Sequence, residues 1–180
     1  MALSLNSIYQ ETKNLYHLNL ICGKKGLDRI MNWVYVAEDT STTSFLHGGE
    51  LVITTGMSKD CTSQWLYDFI TKLIQQNTCG LILNIGKYLF QGDISPEIYN
   101  LCEKYAFPLF TMPWKVHIYD ITRNYYERIF NDAKITDTIT EAFIQLIHQK
   151  ETSHALSVLK QNGFPTDKKY CLCCITFDPI

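Results

Sequence analysis

Gly26-Leu-Asp-Arg29, Trp33-Val-Tyr-Val-Ala-Glu38 and Gly48-Gly-Glu-Leu-Val-Ile-Thr-Thr-Gly56 are the segments whose reading decides the fold. They read as two short apolar strands, each entered through a tight turn and each leaving in a small polar cluster. Gly48 and Gly49 accept positive φ without a Cβ clash, so the chain turns sharply there. Leu51-Val-Ile53 is an unbroken apolar run, the pattern of a strand covered on both faces. Thr54, Thr55 and Gly56 fall at the end of that strand. In open α/β sheets, ligands bind outside the carboxyl ends of the strands.

Working outward, the same logic places the other elements. Leu5, Ile8, Tyr9 and Thr12 share one face of a short helix. Leu18 to Ile21 is a short strand stopped by Gly23 and Gly26, and Ser44 to Leu46 makes no more than one helical turn. Residues 60–77 read as a helix capped by Asp60 or Thr62, with Trp65, Leu66, Phe69, Ile70, Leu73 and Ile74 forming a broad apolar stripe. Leu81 to Ile85 is another buried strand, closed by Gly86-Lys87. Ser95-Pro-Glu97 starts a helix: a cap, a proline at the first helical position and an acid at the positive end of the dipole. Ile98, Leu101, Cys102 and Tyr105 share its inner face, Pro108 to Met112 is a strand ending at Pro113, and residues 117–132 are helical, with Ile118, Ile121, Tyr125 and Ile129 in register. Strands alternating with helices imply βαβ units, right-handed crossovers and a mostly parallel sheet. The expectation is a three-layer α/β domain over residues 1–132.

A second unit starts near Ala133. Ile135, Ile139, Ala142, Phe143, Leu146 and Ile147 form an apolar stripe on a long helix, and a second helix from about Ser153 to Asn162 carries Ala155, Leu156 and Leu159. Gly163 suits the position after a helix end and Pro165 blocks continuation. Residues 133–165 therefore read as a helical connector. Tyr170 to Phe177 reads as a strand, and one strand cannot satisfy its own backbone, so 166–180 are expected to begin a further domain.

Composition narrows the function. Apolar residues make up 46% of the 180, enough for a packed core. A net charge of −2 with no Lys/Arg run longer than two argues against a DNA-binding face in these residues. No apolar run approaches the roughly 20 residues a membrane span needs, and the first 20 residues lack the signature of a signal peptide. The expected location is the cytoplasm, with no membrane partner. Seven cysteines at irregular spacing fit reduced thiols rather than a disulfide framework.

Gly26-Leu-Asp-Arg29, Trp33-Val34 with Val36, Gly48-Gly-Glu-Leu51, Thr54-Thr-Gly56, Gly80-Leu81 with Gly86, and Pro108-Leu109 before Pro113 resemble, in order and spacing, the N-terminal domain of PucR-type bacterial regulators, the purine catabolism regulatory protein family. The resemblance covers about residues 5 to 130, and Tyr35 stands where that family often has His. It implies a ligand-sensing domain, effectors from purine breakdown, and a helical connector into a degenerate cyclase-like domain whose first strand resembles Tyr170 to Asp178. It also implies a DNA-binding helix-turn-helix further on, outside this sequence.

Candidate ligand contacts follow. Glu38 or Asp39 would hold a donor group on a ligand; either equally suits the start of a helical turn. Thr54, Thr55 and Gly56 offer two hydroxyls and an accessible backbone. Lys87 would meet an anionic ligand, although an exposed loop lysine is the commoner case. His117 would be a contact or a pH-sensitive group. Gly26, Asp28 and Arg29 read as a structural turn, with Asp28 bonding its own following backbone and Arg29 pairing with a carboxylate; Gly48 and Gly49 read the same way. Cys171, Cys173 and Cys174 alternate faces on a strand and cannot converge on one ion, so neither metal nor cofactor is expected. His47-Gly48-Gly49 is similar to an esterase oxyanion turn, but no Gly-x-Ser-x-Gly accompanies it. There is no P-loop spacing and no paired-carboxylate arrangement. The readings that remain are a small-molecule sensor forming homo-oligomers, or a dimerisation and interaction module without a metabolite. An enzyme ranks last.

Overall fold

The computed structural model describes residues 3–57, 63–148 and 152–169. The elements in order are α1 (Leu5–Thr12), β1 (Asn19–Cys22), β2 (Trp33–Val36), a 3-10 turn (Thr40–Phe45), β3 (Glu50–Thr54), α2 (Ser63–Gln75), β4 (Gly80–Ile85), α3 (Pro96–Lys104), β5 (Leu109–Pro113), α4 (Ile118–Ile147) and α5 (Thr152–Gln161). The five strands form one sheet in the order β1-β5-β4-β3-β2. β2 to β5 are parallel, and β1 joins the β5 edge antiparallel.

Alternation of side chains along the strands builds the layers. Leu51, Ile53, Ile82, Phe110 and Met112 pack with Leu5 and Ile8 of α1 and Ile121 and Tyr125 of α4. Val52, Leu81, Leu83 and Leu109 face the other way, onto Leu66, Phe69, Ile70 and Leu73 of α2 and Ile98 and Cys102 of α3. The three-layer, mostly parallel architecture is the expected one. Ser95 caps α3, its hydroxyl accepting from the Ile98 N–H, with Pro96 following.

One segment accounts for the strand order. β1 and β2 lie at opposite edges, so residues 23–32 must cross the amino ends of the strands between them. Gly23 and Gly26 press onto the backbone just before β5: a Cβ on either would sit 1.9 Å from the carbonyl oxygen of Phe107 or Ala106. Arg29 donates to the carbonyls of Thr78 (2.8 Å), ahead of β4, and Tyr105 (3.0 Å). The Asn32 N–H donates to the Gly49 carbonyl ahead of β3. Gly26-Leu-Asp-Arg29 is thus a strap over the amino end of the sheet. Arg29 meets carbonyls where a carboxylate was expected, because the strand-entry turns present their C=O groups there. Asp28 is exposed, and the turn is held by Leu27 and Arg29 N–H groups donating to the Lys24 and Gly26 carbonyls.

Two compact units result, Met1–Ala133 and Lys134–Ile180. The helix expected to end near Asp132 does not: α4 is a single helix of 30 residues, since Ala133-Lys-Ile-Thr136 contains no residue that stops one. In the second unit Ala142 packs with Ala155 and Leu159 of α5, flanked by Ile139, Phe143, Leu146, Val158 and Phe164. Gly163 follows α5 at φ +83°. The helix caps considered at Asp60 and Thr62, and the strand read at Tyr170 to Phe177 with its cysteines, lie outside the described residues. Cys22, Cys79 and Cys102 are free and buried, and burial raises the Cys79 thiol above its ordinary pKa. No described helix is long and apolar enough to cross a membrane.

Candidate functional site at the carboxyl rim of the sheet

β3 is buried along its whole length and is clasped at both ends by carboxylates. At its start, Glu50 accepts from the His47 (2.6 Å) and Gly48 (2.9 Å) N–H groups, closing the turn that Gly48 and Gly49 make at φ +100° and +79°. At its end, Glu38 accepts from the Thr55 N–H (2.9 Å), the Thr55 hydroxyl (2.8 Å), the Thr54 hydroxyl (3.1 Å) and the Met57 N–H (3.1 Å). Glu38, Thr54, Thr55 and Gly56 are therefore brought together, with Glu38 organising the turn. Asp39 takes a different role. It caps the 3-10 turn, accepting from the Ser41 N–H at 2.6 Å, and this bond holds its carboxyl below the usual range.

Glu38→Ala orphans two backbone N–H groups at once. With hydrogen bonds to charged groups worth about 1.5–3 kcal/mol each, a destabilisation of ~2 kcal/mol is expected for this half-buried site. Amide exchange checks it: Thr55 and Met57 should lose protection while β4 keeps its own.

The neighbouring turns complete the rim. Gly86 to Leu89 forms a tight turn, the Gly86 N–H donating to the Leu89 carbonyl at 2.8 Å. Leu89 packs on Gly56 so closely that a Cβ there would lie 2.4 Å from the leucine side chain, which sets the Lys87 turn directly against the Thr55 turn. After β5, the Trp114 N–H donates to the Ile85 carbonyl at 2.7 Å. Asn84, buried in β4, donates weakly to the carbonyls of Pro113 (3.4 Å) and Val116 (3.5 Å). The Lys87 ammonium lies over the rings of Tyr88 (5.1 Å) and Trp114 (4.9 Å). His117 is exposed at the start of α4.

Topology singles out one point on this rim. β2, β3 and β4 are laid down in order and the chain leaves each of them toward the same face, so no crevice opens among these three. Opposed departures occur between β4, whose chain leaves toward α3 on one face, and β5, whose chain leaves toward α4 on the other. Lys87 and Trp114 stand there. Tyr88 and Trp114, which cradle the lysine, were not singled out as contacts from the sequence. The only available signal was an aromatic directly after each strand-end turn. Among the described residues, no three His, Cys, Asp or Glu side chains are grouped to hold a metal ion.

Residues 9–129 match the model of the Purine catabolism regulatory protein-like family. The chain is also 29% identical over 139 residues to the Purine catabolism regulatory protein of Bacillus subtilis (strain 168), an alignment covering 77% of this chain and 25% of that protein. The chain thus corresponds to about a quarter of that relative's length.

Proposed function

The chain belongs to the purine catabolism regulatory protein-like family, whose model matches more than half of its length; on that premise we propose that residues 1–132 sense a small-molecule effector for a cytoplasmic transcription regulator. The effector, from purine or related nitrogen-compound catabolism, sits at the carboxyl rim among Thr54, Thr55, Gly56, Lys87 and His117, with Glu38 shaping the turn. The observation that carries this reading is the exposed Lys87 cation on its aromatic platform at the one point of the rim where the chain departs to opposite faces. A cation above ring faces favours an anionic, flat effector, which would meet the ammonium beside the turn that the buried Thr55 hydroxyl fixes by donating to Glu38.

Transmission follows from connectivity. α4 begins four residues after Trp114 and continues beyond Ala133. An effector that prefers one arrangement of the Trp114–His117 turn would bias α4 by its differential affinity for the two arrangements. In this reading 133–165 is the connector, 166–180 begins a cyclase-like domain, and DNA is read by a helix-turn-helix outside the chain, in a homo-oligomer.

Thermal melting against a panel of purine-breakdown compounds tests the reading. A ligand at 100 times its Kd adds about 2.7 kcal/mol, a rise of several degrees for a chain of this size. Thr55→Val is expected to cost only ~1 kcal/mol of basal stability, since it removes one hydroxyl bond to Glu38, and to lose the ligand-induced rise. A full rise in the variant removes Thr55 from the site. A second reading, a dimerisation module without a metabolite, draws on the exposed Ile135, Ile144 and Ile147 of α4. It is favoured if no compound raises the melting temperature and the temperature instead climbs with protein concentration.

A further inference from the structure

At the opposite end of the sheet from the carboxyl rim, beside the edge strand β2, lies a groove of about 540 Å³. Asn32, Trp33, Tyr35, Phe45, His47 and Glu50 line it. Pockets for small ligands run from roughly 300 to 1,000 Å³, so the size fits a ring compound. Its aromatic walls are held in place. Trp33, 41% exposed, packs on Tyr126 and Phe130 with ring centroids 4.8 and 5.8 Å apart. Tyr126 is itself anchored by its hydroxyl, which donates to the Val34 carbonyl at 2.7 Å. Phe45, 69% exposed, ends the 3-10 turn that Asp39 caps and that the Thr42 and Thr43 hydroxyls brace by donating to the Asp39 and Thr40 carbonyls at 2.7 Å each. Trp33 is thus fixed by its ring neighbours with much of its face open to solvent, and Phe45 projects from a braced turn beside it.

Charge selects the occupant. Glu50 is the only acidic residue of the lining and no Lys or Arg lines it. Its carboxylate takes two backbone N–H groups, and a carboxylate offers about four lone-pair sites, so acceptor capacity remains. An anion is disfavoured beside it, while a ligand N–H is welcome. We propose that this groove is a second ligand site, taking a planar nitrogen heteroaromatic, neutral or cationic, stacked against Trp33, Tyr35 and Phe45. The site is separate from the carboxyl rim and opposite to it in charge preference.

The three indole N–H resonances of the labelled chain report on it directly, with benzimidazole as probe and benzoate as a flat anionic control. Benzimidazole is expected to shift the Trp33 resonance saturably and to leave those of Trp65 and Trp114 in place; benzoate is expected to shift none. Phe45→Ser alters an exposed side chain, so the fold persists, and affinity should fall about tenfold, the scale of one lost aromatic stack. Thr55→Val should leave the titration unchanged, which separates failure here from failure at the rim. The proposal is overturned if the shift does not saturate, if benzoate matches benzimidazole, or if Phe45→Ser binds as well as the parent. It is also overturned if the Trp33 resonance moves with protein concentration alone, because a second copy of the chain then fills the groove.

Discussion

Gly23→Ala is expected to be among the most damaging single-methyl additions in the molecule. Gly23 sits at φ +75°, where a Cβ costs about 1–2 kcal/mol by itself. That Cβ would also stand 1.9 Å from the Phe107 carbonyl oxygen and 2.7 Å from the Pro108 nitrogen. Both are backbone atoms at the entrance to β5, so no side chain can rotate away, and overpacking of this kind adds about 1–3 kcal/mol. The strap would lift from the amino end of the sheet, and the bond from the Gly23 N–H to Glu103 (2.7 Å) would go with it. The total is ~4 kcal/mol, a large part of the stability of a typical domain. Gly92→Ala is the control. That glycine has open space around its Cβ position and no positive φ, so stability should stay within ~0.5 kcal/mol of the parent. Urea titrations of the two variants decide the matter, and equal midpoints would show that the strap is not a constraint.

Tyr125→Ala is the second large effect. Tyr125 is fully buried between α1 and the sheet, beside Tyr16 at 6.1 Å between ring centroids. Its loss leaves a ring-sized cavity, and aromatic-to-alanine changes in cores cost about 3–5 kcal/mol. Its hydroxyl matters less, and the geometry gives its direction. Thr12 donates to the Ile8 carbonyl at 2.6 Å, so Tyr125 is the donor in the 2.8 Å contact between the two hydroxyls. Tyr125→Phe and Thr12→Val should therefore each cost ~1 kcal/mol and, being in contact, be non-additive in the double variant. Burial raises the Tyr125 phenol above its ordinary pKa. The unfolded chain thus loses this proton first as pH rises past about 10, and the stabilisation, fully present below that pH, drains away above it. Tyr125→Phe should flatten that alkaline limb of stability; a limb of unchanged slope would assign it to other groups.

Much of the fold was legible in the residues. Ser95-Pro96-Glu97 is a helix start in any context, and the structure has α3 there with the cap bond made. Leu51-Val-Ile53 is a two-sided strand because both its faces are covered, and it is one of the two inner strands of the parallel set. The continuity of α4 through Asp132 and Ala133 was not legible, although its apolar stripe to Ile147 was. A domain boundary was read as a helix boundary, yet nothing local at Ala133 stops a helix, and the division between units comes from contacts at long range.

The rim shows the same division. Thr54, Thr55 and Gly56 were recognisable as a strand end because glycine and hydroxyl residues follow an apolar run. That Glu38 fastens them could not be read, since the bond joins residues 17 apart across two strands. Nor could the rings beneath Lys87, one of which lies beyond the next strand.

The sequence by itself determined the local periods, the caps and the turns, and hence a three-layer α/β domain with a helical extension, because side-chain alternation and backbone capping act within a few residues. Only the tertiary structure decided the strand order, the strap of Gly23 to Asn32 and the aromatic groove beside β2. These depend on which distant backbone atoms meet, Gly23 with Phe107 and Arg29 with Thr78 and Tyr105, and such meetings are settled by the packing of the whole core.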